Sequence, residues 1–149
     1  MVDRDLIAAK LVELCERAVR ARSKCPASAD ELSTDSDALD LVSFNLMLAV
    51  QSCADIASHL IADEGWTPAA TLAAGFHRLR DQGVISASTA EALCRATGLR
   101  NVVAHGYSGV NPAMIHEAAS KGTDDLEQFA REVASWIAPA DPPSGGVQT

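Results

Sequence analysis

Between Arg100 and Tyr107 the chain places a guanidinium, an amide, an imidazole and its only phenol, as Arg100, Asn101, His105 and Tyr107. A planar guanidinium grips a phosphate through two parallel N–H donors. An imidazole, which titrates near about pH 6.5 when unperturbed, gives or takes a proton at neutral pH. Together these groups suit chemistry on a phosphate ester. The spacing alone does not assemble a site. Residues five apart on an ideal helix are rotated by about 140°, so Arg100 and His105 do not share a face. A long arginine reaching round a helix end, or a second subunit, would have to complete the arrangement. An arginine on a helix and a histidine near its C-terminus, where the dipole favours the protonated ring, also arise by chance.

A second polar pair is Asp55 and His59, one turn apart in the most apolar stretch of the chain, with Gln51 one turn before them. Residues at i and i+4 share a helix face. The pair either lines a cleft or forms an intrahelical ion pair on a solvated edge, and the residues favour the edge. Asp55 orienting a residue of the 100–107 stretch is a further option. His77 and His116 lack partners at ligand spacing and are expected as surface or packing residues. Cys15, Cys25, Cys53 and Cys94 are scattered, with no C-x-x-C pair and no histidine at zinc spacing. Free thiols in a reducing compartment, no metal and no cofactor are expected.

The elements that must position these groups read as helix almost throughout. Asp3 to Arg22 forms a first helix with Leu6, Ile7, Leu11, Leu14 and Ala18 near helical spacing. Residues 26–36 read as a polar loop. Asp37 to Ala62 is the strongest helix, with Val42, Leu46, Val50, Cys53, Ala57 and Leu60 in one stripe, and Phe44, Met47 and Leu48 widening it to more than one buried side. Thr67-Pro68 opens a third helix that Gly83 stops. Ser86 or Ser88 caps a fourth, which runs to Ala104 with Gly106 as terminator, and Ser88 with Glu91 has capping-box spacing. Asn111-Pro112 opens a fifth, interrupted near Gly122, ending at Ile137. The expectation is an all-α bundle of about five helices over 1–138, with a disordered tail over 139–149.

The 149 residues suit one domain, and the net charge of -8 argues against bulk electrostatic binding of nucleic acid. Arg17, Arg20, Arg22 and Lys24, and Arg78, Arg80 and Arg95, read more readily as solvated faces than as an RNA surface. No run approaches the length of a membrane span, and the N-terminus lacks a signal-peptide core. A cytoplasmic, membrane-free protein is expected.

The pattern Arg100-Asn101-x-x-x-His105-x-Tyr107 resembles the R-x4-6-H signature of HEPN domains, and His105-Gly106-Tyr107 resembles the extension of their HepT branch. The segment from Val50 to Ile61 is similar to that family's long second helix. Phe76 to Val84 and the helix start at Asn111-Pro112 fit as well, so the likeness spans Asp3 to Ile137. The resemblance implies a metal-independent endoribonuclease toxin of a type VII toxin–antitoxin pair. It implies a homodimer with two motifs facing one cleft, RNA as substrate, and Arg100, Asn101 and His105 as catalytic residues. It also implies an MntA-like nucleotidyltransferase antitoxin that silences the toxin by attaching AMP to Tyr107. The alternative is a non-catalytic HEPN module that binds a nucleotide or a nucleotidyltransferase.

Overall fold

The computed structural model describes residues 2–106 and 110–139. Tyr107 and almost all of the tail expected from Pro139 therefore lie outside the described residues. Helix makes up 81 % of the chain and no strand is present among the described residues, so the fold is all-α as expected.

Helix α1 (Arg4–Lys24) turns Ile7, Leu11, Leu14, Ala18 and Ala21 inward. The segment expected as loop contains a short helix, α2 (Ala29–Thr34), whose N-cap Ser28 accepts the Glu31 N–H at 3.2 Å. Its Leu32 is completely buried. That one apolar side chain in a polar stretch recruits the segment to the core and overrides its loop-like composition.

Helix α3 (Ser36–Asp63) is the axis of the bundle and packs on α1 along most of its length. By length and composition it could cross a membrane, more than the sequence suggested. However, 61 % of its most apolar window is buried inside the protein, as in a core helix. Phe44 departs from expectation. It remains 49 % exposed, because the α3 face that carries Phe44 and Met47 points away from α1.

Helix α4 (Leu72–Asp81) starts later than expected. Its N-cap is Thr71, whose hydroxyl accepts the Ala74 N–H at 3.1 Å, and Thr67-Pro68 stays outside. The Thr67 carbonyl accepts from Arg78 Nε at 3.1 Å, which pins the preceding loop to α4. Helix α5 (Ala87–Ala104) is capped by Ser86, not Ser88. The expected fifth helix is divided. Helix α6 (Pro112–Glu117) passes through one π turn, Ala118–Gly122, into α7 (Thr123–Ile137).

Two T-shaped aromatic pairs lock α7 to the rest: Phe76 with Phe129 at 5.9 Å and Trp66 with Trp136 at 5.8 Å between ring centroids. Arg22, at the end of α1, reaches Thr123, Asp124 and Glu127 at the start of α7. Arg17 donates to the buried Asn45 of α3 at 3.2 Å. Half of the basic cluster at the end of α1 is thus consumed in helix–helix contacts. All four cysteines are free thiols.

Candidate functional site

The motif occupies the C-terminal end of α5. Arg100 is half-buried and turned toward α3. Its Nη2 donates to Gln51 Oε1 at 2.8 Å, and its Nη1 donates to Asn101 Oδ1 at 3.0 Å. The Nε–H is buried without a hydrogen-bond partner among the described residues. An orphaned buried donor costs about 1–3 kcal/mol, so the two Nη contacts hold this pose against a penalty. Among the described residues no carboxylate forms a salt bridge with Arg100.

His105 is the C-cap of α5 and is exposed; its backbone N–H donates to the Asn101 carbonyl at 3.1 Å. Gly106 follows with φ +59°, in the left-handed region that favours glycine. This turn ends the helix directly after His105 and presents the imidazole at the rim. Tyr107, the expected site of modification, lies outside the described residues.

The Asp55 line joins the same site. Gln51 Nε2 donates to Asp55 Oδ1 at 3.0 Å, and Lys10 Nζ of α1 stands 3.9 Å from Asp55 Oδ2. Gln51 therefore links Asp55 to Arg100, and three helices meet there. His59, a turn further along α3, is half-buried and joins no hydrogen bond of this line among the described residues. The structure thus connects Arg100, Asn101 and Asp55, sets His105 at the end of the same helix and leaves His59 apart. The sequence had marked Gln51 only as an extension of the line and did not flag Lys10. Lys10 flanks the inward stripe of α1 between Ile7 and Leu11, and that position was the available signal.

The remaining histidines are occupied in structure. Arg80 Nη1 stands 3.0 Å from His77 Nδ1, and a guanidinium can only donate. Nδ1 is then the acceptor, so Nε2 carries the proton and donates to Cys94 Sγ, 3.5 Å away. Burial pushes the Cys94 thiol above its ordinary value, with Arg80 and Arg95 acting against that. His116 Nε2 is 3.0 Å from the Pro26 carbonyl and donates to it. Among the described residues no three His, Cys, Asp or Glu side chains gather as metal ligands would.

An apolar groove of about 360 Å³ runs beside the site between α3, α5 and the π turn. Met47, Val50, Leu99, Val103 and Met114 form its walls, and Arg100 also lines it. Phe44, one turn before Met47, and Met114 stand about half exposed at 49 % and 54 %.

The family model described as ribonuclease HepT-like matches residues 14–133. A curated relative, the mRNA nuclease HepT of Shewanella oneidensis, is 23 % identical over 125 residues, 84 % of this chain and 93 % of the relative. A solved tri-AMPylated HEPN toxin of Shewanella oneidensis, in complex with MNT antitoxin, superposes with a TM-score of 0.81 at 22 % identity. That alignment covers 91 % of this chain and 99 % of the toxin. A solved toxin–antitoxin structure with AMP-PNP gives a TM-score of 0.82 at 21 % identity, over 89 % and 99 %.

Proposed function

Because this chain belongs to the HepT-like ribonuclease family, we propose that Arg100, Asn101 and His105 form the cleaving site of a metal-independent endoribonuclease toxin. The observation that carries the reading is the family match over residues 14–133, which contains the whole Arg100-to-Tyr107 motif.

RNA brings its own nucleophile, so no metal-activated water is required. The ribose 2′-OH loses its proton to an imidazole, and O2′ attacks phosphorus. The bond from phosphorus to the leaving 5′-oxygen breaks, and that oxygen takes a proton from a second acid. The products are a 2′,3′-cyclic phosphate and a 5′-hydroxyl. His105, at the exposed helix end, serves the proton transfers. Arg100 carries a charge that no carboxylate neutralises among the described residues, and it stabilises the additional negative charge of the phosphorane. Asn101 accepts from Arg100 Nη1 and helps to hold the guanidinium in place. Asp55 borders the site through Gln51.

One copy supplies one imidazole, and a homodimer supplies two. The groove that Arg100 and Met114 line, with half-exposed Phe44 one turn from Met47 of its wall, supports a second copy seated with its motif facing this one. The solved relative described as a tri-AMPylated toxin with its MNT antitoxin supports a nucleotidyltransferase partner. AMP attached to Tyr107, the only tyrosine, would add negative charge and bulk to the motif and repel RNA. Free thiols and the toxin role support a cytoplasmic location.

The chemistry is tested on an end-labelled RNA oligonucleotide incubated with the purified protein in chelator. The reading expects 2′,3′-cyclic phosphate ends and loss of cleavage when the cut nucleotide is 2′-deoxy. Undiminished cleavage of the 2′-deoxy substrate would overturn it.

A further inference from the structure

Among the described residues, Gln51 is the residue of α3 that hydrogen-bonds to the guanidinium of Arg100, at 2.8 Å, and the type of contact is informative. An amide presents an acceptor on one side and donors on the other; Arg100 only donates and takes the oxygen, which leaves the amide N–H groups for a second partner. That partner is Asp55, whose ionised carboxylate only accepts. It takes the Gln51 Nε2–H at 3.0 Å and so braces the orientation in which Oε1 faces Arg100. Lys10 Nζ stands 3.9 Å from the other carboxylate oxygen, Asp55 Oδ2, and so flanks Asp55 from α1.

We propose that Gln51 is a positioning residue for Arg100, with Asp55 bracing its amide from the other side. This rests on the ribonuclease reading. The reason for an amide is electrostatic. A carboxylate at position 51 would hold the guanidinium more firmly but would cancel its charge. A neutral acceptor fixes the fork while leaving the charge for phosphate. The carboxylate that organises the contact is kept one residue away. The orphaned Nε–H of Arg100 makes the tether necessary, because without Gln51 the side chain gains by leaving this pose.

Three variants separate positioning from bulk structure, each checked for helical circular dichroism and an unchanged melting profile. Gln51→Leu keeps the charge of Arg100 and removes the tether, so kcat falls by about 10–100-fold while the salt dependence of RNA binding is unchanged. Gln51→Glu keeps the tether and cancels the charge, so kcat falls and the slope of log affinity against log salt becomes shallower by about 0.7. Asp55→Asn weakens the brace on the amide at 51 but leaves its bond to Arg100, so its loss is smaller than that of Gln51→Leu. In an Arg100→Ala background Gln51→Leu has no further effect on kcat. Gln51→Leu and Gln51→Glu both within about twofold of the parent, in a protein that Arg100→Ala inactivates, would overturn the proposal.

A second readout does not depend on cleavage. Rotation about the Arg100 guanidinium bonds, followed by nitrogen-15 NMR, should be hindered in the parent and freed in Gln51→Leu. Equal rotation in both overturns the positioning role. Hindered rotation in the parent, released in the variant, in a protein that cuts no RNA upholds the positioning and sinks the ribonuclease reading alone.

Discussion

Glu132 Oε1 accepts the backbone N–H of Ser86 at 2.7 Å, so the acid that completes the cap of α5 comes from α7. In a capping box the N-cap hydroxyl takes the third amide of the helix while an acid at that third position returns to the cap N–H. Ser86 Oγ accepts the Thr89 N–H at 3.2 Å, but Thr89 cannot return the favour. Its hydroxyl donates instead to the other oxygen of Glu132. The helix that carries Arg100 at one end is thus anchored at its other end by α7.

This cap has a pH signature. Burial pushes the Glu132 carboxyl up, but hydrogen bonds from Thr89, Ser86 and Gln128 outweigh it and hold the group below its ordinary 4.5. A carboxyl lowered in the folded state adds stability above its unfolded value and loses it as pH falls through the folded value. Glu132→Gln should therefore cost about 1 kcal/mol at neutral pH. The gap between the two proteins in urea denaturation should narrow below about pH 4. A constant gap from pH 7 to 3 would remove the carboxylate from the account.

Arg22 makes the corresponding clasp between α1 and α7. Its guanidinium reaches Thr123 Oγ1 at 2.8 Å, Asp124 at 2.8 Å and Glu127 at 3.1 Å. A lysine has no planar fork and carries its donors on a single nitrogen, which cannot span the separate positions that Nε, Nη1 and Nη2 of Arg22 reach. Arg22→Lys should lose most of what Arg22→Ala loses, about 1 kcal/mol after solvent screening of the half-exposed pairs. Equal stability of Arg22→Lys and the parent would show that charge alone matters there.

Much of the bundle is legible in the chain, because long helices announce themselves through repeated apolar positions. Val42, Leu46, Val50, Cys53, Ala57 and Leu60 mark α3 without help from other elements. What escapes is set by distant partners. α2 exists because Leu32 finds the space near Val42 and Ile115, and nothing local to Ala29–Thr34 says so. The cap of α5 depends on Glu132, 46 positions away, so local spacing points to Ser88 and Glu91 instead. The same limit applies at the site. Arg100, Asn101 and His105 lie in one short stretch, but the contact of Gln51 with Arg100 spans 49 positions. Only the packing of α5 on α3 brings them together.

The proposed dimer makes a sharp demand on the face beside the motif. Phe44 and Met114 are half exposed, so Phe44→Asp and Met114→Asp should leave the monomer folded. Each charge would have to be desolvated between two copies. Light scattering should show a shift from dimer to monomer, with RNA cleavage falling in parallel. A parent protein that is monomeric at micromolar concentration, yet active, would contradict the shared cleft.

Silencing through Tyr107 can be followed by mass. Co-expression with the partner nucleotidyltransferase should add one or more AMP units and abolish cleavage. Tyr107→Phe should keep much of the cleavage and escape both effects, since the phenol is the proposed acceptor. If Tyr107→Phe is still modified, the acceptor lies elsewhere. If it folds but is inactive, the phenol belongs to the catalytic machinery.

The most direct measurement is RNA cleavage in excess chelator by the parent, Arg100→Ala and His105→Ala, each with intact helical circular dichroism. Full activity of the parent and a loss of at least about 100-fold in both variants is the predicted result. Activity that disappears with chelator and returns with magnesium, or undiminished cleavage by His105→Ala, would contradict the account.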